Sequence, residues 1–390
     1  MDKSSAPVMR IDLSNWIAAA KLGLISSTFS TLLSQFTAAR IGRDAAVDWM
    51  TVAAIPLRDG VISAEPTWSA IAAGIAFHQW ADFSWAVVFF GLFGRWTAGL
   101  RPLTILAVAM PWAVFTSATE WLLLVPLFPF FQPLFTLQQP YWIGLLVHMS
   151  SAVMYPLFAW VRYPLGHAPT SRDVTFAKAW AVGGVGLVAI LGGVAGLSAH
   201  GYEWPWRGTD QTADQDYIRH MTTHHRQGIT LAQLGAERAR DPSLKALARL
   251  MVASQAGENR LFEAWWQSWF NTSLPDCTAE ERADMPGYLT EAQMQEVRAA
   301  PPQQFDATFV RLMSVHHRGA VAMADQEWHS RGDWRLRVMA HTIRHEQQGE
   351  IALMDGVQGI QAVRTAIHDM VADNVNPPGQ PEPNTNPTLR

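Results

Sequence analysis

The C-terminal part of the chain contains the same segment twice, at an offset of 92 residues. Residues 214–261 align with residues 306–353 without a gap. The identities include Met221/Met313, His224/His316, His225/His317, Arg226/Arg318, Gln255/Gln347 and Glu258/Glu350. A repeat that keeps Met, His and Glu while its other positions change indicates soft-metal chemistry inside a helical structure.

Each copy has the pattern of a helical hairpin. The predicted repeats span residues 212–270 and 302–360. Neither hairpin can bury its apolar stripe alone, so the two should pack as a soluble four-helix bundle over residues 201–372. Side-chain caps that begin helices are expected at Thr212/Gln215 and Thr290/Gln293.

The helical spacing places polar residues on the stripes that should be buried. The candidate metal ligands on these stripes are Met221, His224, His225, Met313, His316, His317, Met323 and Met354. The candidate supporting residues are Gln255, Glu258, Gln347 and Glu350. Burying such groups is costly unless each finds a partner, and either a metal or a His–Glu hydrogen-bond network would supply one.

The ligand types select among metals. Thioether and imidazole together favour Cu(I), or Ag(I) as its mimic, whereas zinc sites rarely use Met. Di-iron bundles need Glu-x-x-His motifs, and Glu258 and Glu350 are each followed by Leu at the third position. His341 and His345 are four residues apart and could bind a metal, but their position off the inner stripe predicts a solvated face.

Residues 1–200 are predicted to form a membrane domain with about five transmembrane helices. Five apolar stretches could cross a hydrocarbon core of about 30 Å, at roughly 12–37, 67–94, 103–127, 141–161 and 177–199. Lys21 interrupts the first stretch, which is either a signal peptide or an uncleaved anchor. Its length and weak basic N-terminal region favour the anchor.

The charges of the loops predict the orientation. Basic residues that mark the cytoplasmic side are Arg95, Arg101, Arg162, Arg172 and Lys178, whereas the loop 128–140 carries no charge. We therefore expect a protein of the bacterial inner membrane with a cytoplasmic N-terminus and a periplasmic C-terminal domain. Residues 373–390 have the composition of a disordered tail.

Ionisable residues inside the predicted spans are candidates for function. They are His78, Asp82, Glu120 and His148. One interpretation is a path for a metal ion or a proton toward the C-terminal domain. The structural alternative is hydrogen bonding between helices.

The M-x-x-H-H and Q-x-x-E pattern of both copies resembles a ferritin-like family described as a domain of unknown function, which includes CopM-type copper-binding proteins. The resemblance covers residues of about 212–360 and implies an exported four-helix bundle that binds copper or silver through Met and His. Leu231 and Phe262 stand in the first copy where the second has Met323 and Met354. The second copy is therefore the better-equipped metal site.

Taken together, the sequence predicts an all-α protein, in which a multi-span membrane domain precedes a bundle that binds Cu(I) for buffering, tolerance or transfer. Its expected partners are the lipid bilayer, the metal ion and another copper-handling protein. A net charge of −4 gives no indication of nucleic-acid binding. The alternatives are a membrane-linked metal-dependent oxidoreductase and a metal-free sensor or assembly module, and binding is favoured over catalysis.

Overall fold

The computed structural model describes residues 13–127, 134–162 and 170–371, and these residues form helices and no strands. In chain order the α-helices are α1 Leu13–Thr37, α2 Ala45–Leu57, α3 Trp68–Thr97, α4 Pro102–Thr119, α5 Val125–Leu127, α6 Leu134–Gln138, α7 Tyr141–Ala152, α8 Phe158–Arg162, α9 Ser171–Ala199, α10 Gln211–Arg238, α11 Pro242–Phe270, α12 Ala279–Asp284, α13 Glu291–Ala299, α14 Pro302–Trp328, α15 Trp334–Met354 and α16 Gly359–Val371. The predicted tail at 373–390 lies outside the described residues.

Four helical stretches in the described part of the chain are long and apolar enough to cross a membrane. They are Leu13–Ile41, Pro102–Leu127, Tyr141–Arg162 and Arg172–Ala199. The helix α3 matches the predicted span at 67–94 and has 30 residues, but it is not among the four. Polar residues such as His78 and Asp82 lower its hydropathy, so its crossing stays a prediction.

The described residues divide into two compact units, and the first contains most of the apolar N-terminal helices. It comprises the residues up to Leu33, His78–Ser117 and Leu145–Leu191. Aromatic side chains form much of its core. The rings of Phe90 and Phe158 stack at 4.0 Å between centroids.

The second unit contains a four-helix bundle made of the two repeats. The helix α10 packs against α11, α14 packs against α15, and the two hairpins meet through α10 and α14. The predicted all-α fold is confirmed. The Thr290/Gln293 capping box is also present, but the one predicted at Thr212 is wrong. Instead, the side chain of Asp210 accepts a hydrogen bond from the Ala213 backbone and begins the helix two residues earlier.

Segments from the N-terminal half cover the bundle. The second unit also includes Ser34–Phe77 and Ala118–Gly144, so it extends beyond the predicted domain 201–372. Within it, α2 packs against α11, α6 packs against α15, and α2 and α6 contact each other. The face of α11 and α15 beneath α2 and α6 is thus shielded from solvent.

This cover corrects one prediction. The face that carries His341 and His345 is not solvated, because His345 is only 5% exposed and its ring hydrogen-bonds to the backbone of Gln139. The His341 ring lies 4.7 Å from the Trp328 ring. The sequence pattern of one helix could not reveal that a segment some 200 residues earlier would cover it.

Candidate metal centre

Four histidines come together where α10 and α14 pack. His224 and His225 lie on α10, His316 and His317 lie on α14, and all four side chains are 0% exposed. The rings of His224 and His316 are 3.8 Å apart between centroids, with 35° between their planes. The structure therefore unites the two predicted His pairs, one from each repeat.

The inner pair of rings is oriented by backbone carbonyls. His224 Nε2 lies 3.2 Å from the carbonyl oxygen of Pro286, and His316 Nε2 lies 3.0 Å from the carbonyl oxygen of His224. Because a carbonyl oxygen only accepts, both rings must carry a hydrogen on Nε2. In their neutral form, His224 and His316 therefore present a lone pair on Nδ1.

Each ring of the outer pair lies beside a carboxylate from the second helix of its hairpin, and His317 is hydrogen-bonded to that carboxylate. His225 Nε2 lies 2.7 Å from Oε2 of Glu258, and His317 Nε2 lies 2.7 Å from Oε2 of Glu350. Each contact joins a histidine predicted to be a metal ligand to a glutamate predicted to support it. A carboxylate behind an imidazole is the arrangement that orients metal-binding histidines in proteins.

The Nδ1 atoms of these rings lack hydrogen-bond partners. They are buried, without a partner in the described part of the chain, in His224, His225, His316 and His317. Four buried polar atoms left unpaired at one place are costly, because each has lost its contact with water. A metal ion that binds neutral imidazole nitrogen would satisfy them, so the residues present fit a metal.

Burial keeps three of these histidines uncharged. It lowers the pKa of His224 and of His316 well below the ordinary value of 6.5, and the neighbouring histidines lower it further. Burial likewise lowers the pKa of His317 to about 3, with a smaller contribution from His225. At neutral pH the rings of His224, His316 and His317 are therefore ready to bind a metal without first losing a proton.

Two buried amides lie beside the histidines. The side-chain nitrogen and oxygen of both Gln255 and Gln347 are buried without a hydrogen-bond partner among the described residues. A Cβ at Gly228 would overlap the Gln255 oxygen and lie 2.7 Å from Cε1 of His316. Gln255 and the His316 ring therefore both border Gly228, and a supporting role of Gln255 at a metal stays a prediction.

The predicted methionine ligands are divided between two apolar clusters. Met221 and Met323 pack in one cluster, and Met313 and the partly buried Met354 pack in the other. The structure therefore does not gather the four thioethers into one set. Whether any of them binds a metal stays a prediction.

Charged residues that the sequence did not single out lie next to the carboxylates. Arg43 is within 3.2 Å of Glu346 and 2.6 Å of Asp48, and its side chain is 6% exposed. Burial raises the pKa of Glu346 to about 8 against the opposing charge of Arg43. Burial, with the charge of Glu258, raises the pKa of Glu350 to about 8.

One sequence signal could have revealed this cover. Gly257 and Gly349 occupy the same position in the two repeats, immediately before Glu258 and Glu350. A Cβ at Gly257 would lie 2.8 Å from Cβ of Asp44, and one at Gly349 would overlap the carbonyl oxygen of Leu137. A glycine repeated inside two helices indicates that another chain segment approaches closely there.

The histidines do not form a ready-made metal site with three or more protein ligands. Among the described residues, no three His, Cys, Asp or Glu side chains converge in a way that could hold a metal ion. A cavity of about 390 Å³ adjoins α10, and its lining includes Thr223, Gln227, Cys277 and Tyr288. None of the four paired histidines lines that cavity.

The polar candidates of the predicted spans find partners on neighbouring helices. Ser30 of α1 donates a hydrogen bond to Asp82, and its Oγ lies 3.1 Å from Nε2 of His78. His148 Nδ1 lies 3.0 Å from the Thr116 hydroxyl. These contacts favour the structural alternative, in which hydrogen bonds join the helices. Glu120 belongs to the second unit, at the start of a π-helical turn.

Comparison with known proteins identifies the repeats. The family described as Domain of unknown function (DUF305) matches residues 214–358. A DUF305 fragment from Deinococcus radiodurans is 31% identical, and the match covers 38% of this chain and 95% of that chain, with a TM-score of 0.35. None of the curated proteins that were compared matches the chain.

Two further solved structures are of CopM. The Ag-bound form is 27% identical, covering 40% of this chain and 95% of that chain with a TM-score of 0.31. The Cu(I)-bound form is 29% identical, covering 37% of this chain and 93% of that chain with a TM-score of 0.32. Through its two-repeat bundle, the chain belongs to the family described as a domain of unknown function, DUF305.

Proposed function

We propose that the protein is a membrane-anchored copper-binding protein that holds Cu(I) at the paired histidines of its bundle. The observation that carries this proposal is the set of four buried Nδ1 atoms without hydrogen-bond partners. Their rings are oriented through Nε2 by two carbonyl oxygens and two carboxylates. Neutral imidazoles held in one orientation are suited to a soft monovalent ion.

Copper is favoured over zinc or iron by the chemistry of the donors. Cu(I) accepts imidazole and thioether ligands, whereas structural zinc and di-iron sites need additional thiolates or carboxylates that converge. CopM, a relative in sequence, has been solved in Ag-bound and Cu(I)-bound forms. These two ions are therefore the first to test. Bound Cu(I) would supply a stored ion for buffering or transfer.

The membrane anchor and its orientation are part of the same proposal. The predicted topology puts the loop after the first span, the loop between the third and fourth spans, and the C-terminal domain on one side of the membrane. The second unit comprises 34–77, 118–144 and 192 onward, which contain these three regions together with the adjoining ends of the predicted spans. Because these regions form one compact unit, we place the bundle on the outer face of the bacterial inner membrane. A second copper-handling protein would receive the ion there.

Burial of the histidines favours binding over catalysis. All four side chains are 0% exposed, and the cavity beside α10 does not include them. An oxidoreductase that acts on a dissolved substrate needs an open coordination position in an accessible cleft. We therefore rank the enzyme below the binding protein.

The proposal is tested with the full chain in detergent micelles, titrated with Cu(I) without oxygen against a chromogenic chelator. We expect tight binding that a His316→Ala/His317→Ala variant loses. The matched control is His200→Ala/His368→Ala, which removes two exposed histidines and should bind as the unmodified protein does. Circular dichroism establishes that the variants keep their helices. If the unmodified protein binds no Cu(I), the proposal is wrong and a metal-free assembly module becomes the better interpretation.

A further inference from the structure

The carboxylate behind His317 is bound on both of its oxygens. Glu350 Oε2 lies 2.7 Å from His317 Nε2, while Glu350 Oε1 accepts a hydrogen bond of 2.8 Å from the side-chain amide of Gln138. The three side chains form one buried chain of contacts, with exposures of 2% for Gln138, 1% for Glu350 and 0% for His317. Gln138 is the last residue of α6, more than 200 residues before the carboxylate that it binds.

The close approach of α6 is built into the sequence of α15. The carbonyl oxygen of Leu137 occupies the space that a Cβ at Gly349 would need. Gly349 immediately precedes Glu350, so the glycine admits the α6 backbone at the level of the carboxylate. The same contact brings the backbone of Gln139 to His345.

The first repeat differs at the equivalent place. Gly257 again admits a segment of the N-terminal half, but here the nearest group is Cβ of Asp44. The charge of Glu258 acts on Arg43, which also pairs with Glu346. The two equivalent carboxylates thus have different neighbours from outside the repeats, a neutral amide for Glu350 and a guanidinium for Glu258.

We propose that Gln138 is a positioning residue for the metal site of the second repeat, acting through Glu350 to hold the His317 ring in its metal-binding orientation. The bundle is then not a self-sufficient site, because a segment between two membrane-length helices completes it. This inference rests on the proposed function, since the ligand that His317 binds is taken to be a metal ion. The physical reason is that a carboxylate fixed on one oxygen by an amide cannot rotate away from the imidazole bound to its other oxygen.

The amide also satisfies one oxygen of Glu350, a group that is costly to bury without hydrogen-bond partners. Gln138 supplies one donor and the His317 ring supplies the second when its hydrogen is on Nε2. That same placement of the hydrogen leaves Nδ1 of His317 with a lone pair for the ion.

The test compares Gln138→Met with Gln139→Met in the full chain. Both substitutions remove one buried amide from neighbouring positions, but Gln139 donates to Asp48 rather than to Glu350. Loss of a residue that orients a metal ligand typically weakens metal binding by about 10- to 100-fold. We expect that loss of Cu(I) affinity for Gln138→Met and no comparable loss for Gln139→Met.

A double-variant cycle separates positioning from general support of the fold. In a Glu350→Gln background, Gln138→Met should cause little further loss of Cu(I) affinity, because Gln138 acts through that carboxylate. Hydrogen–deuterium exchange of residues 346–354 without metal supplies a second readout, and we expect faster exchange in Gln138→Met. If Gln138→Met does not fold, Gln138→Leu, which has a similar size and no hydrogen-bond donor, should show the same loss.

Failure of the positioning role of Gln138 can be distinguished from failure of Cu(I) binding itself. Absence of Cu(I) binding by the unmodified protein would overturn both proposals. If the unmodified protein binds Cu(I) and Gln138→Met binds it equally well, only the positioning role is overturned. Additive losses from Gln138→Met and Glu350→Gln would also overturn it, since they would show that Gln138 acts independently of the carboxylate.

Discussion

The rings of His224 and His316 face each other at 3.8 Å between centroids, although 92 residues separate them in sequence. A proton added to either ring would place a charge against its neighbour inside the protein, and burial already lowers the pKa of both well below 6.5. We therefore expect Cu(I) affinity to stay nearly constant between pH 7.5 and about pH 5, because no bound proton has to be displaced. Chelator competition at several pH values measures it. A loss that begins at pH 6.5 would show that the histidines titrate normally.

The same shifts predict that the histidines contribute less stability in acid. Below pH 6.5 the unfolded chain binds protons on these histidines that the folded chain does not bind, so their contribution to the free energy of unfolding falls as the pH falls. The buried carboxyl groups of Glu327, Glu346 and Glu350 contribute with the opposite sign, so the measurement compares two proteins without metal: the unfolding midpoint of the unmodified protein relative to that of a His316→Ala/His317→Ala variant should fall between pH 7 and pH 5. Saturating Cu(I) should raise the midpoint at each pH, since the ion binds the folded state.

The ion pair between Arg43 and Glu346 gives a third prediction. Both side chains are 6% exposed, and Arg43 also pairs with Asp48. Arg43→Met should lower stability by less than the roughly 3–5 kcal/mol typical of an unpaired buried charge, because Glu346, with its pKa raised to about 8, takes up a proton. The double variant Arg43→Met/Glu346→Met should recover part of that loss, since Asp48 still lacks its partner. Thermal unfolding of the three variants tests this, and equal midpoints for the single and double variants would contradict it.

Gly349 gives a fourth prediction. In an exposed helix, replacing glycine with alanine stabilises the protein by about 1 kcal/mol. At Gly349 the new Cβ would overlap the carbonyl oxygen of Leu137, so Gly349→Ala should instead lower the unfolding midpoint. Gly193→Ala is the matched control, because a Cβ there meets nothing within 4 Å. A rise in the midpoint for Gly349→Ala would mean that α6 does not approach α15 so closely.

The sequence predicted the two repeats but not the N-terminal segments that cover them. The offset of 92 residues and the spacing of Met, His and Glu predicted the two hairpins and the buried stripes, and left a His–Glu hydrogen-bond network open as one of two partners for the buried groups. The contact of His317 with Glu350 is one such pair. Those features depend on residues close together in one helix or repeated between helices. Arg43 and Gln138 were not predicted, because their contacts with Glu346 and Glu350 depend on how distant segments pack. For the same reason, the face of His345 was wrongly predicted to be solvated.

A buried pair of carboxyl groups gives the last prediction: Asp214 lies at the start of the first repeat and Glu327 near the end of α14. Asp214 is 0% exposed and Glu327 is 3% exposed, and Asp214 accepts hydrogen bonds from the Trp206 indole and the Asp333 backbone. Burial, with the charge of Asp214, raises the pKa of Glu327 to about 8. Between the ordinary value of 4.5 and about 8, the folded chain therefore holds a proton that the unfolded chain has released, so stability falls as the pH rises through this range.

Glu327→Gln removes that titration while keeping a side chain that can hydrogen-bond to Ser330 and Asp214. The unfolding midpoint of the variant relative to that of the unmodified protein should therefore increase from pH 5 to pH 9, with the variant the more stable at the alkaline end. Asp214 keeps its own raised pKa, so the variant still loses some stability as the pH rises. A difference between the two proteins that does not change with pH would show that Glu327 is ionised in the folded state throughout, and that the two carboxyl groups do not share a proton.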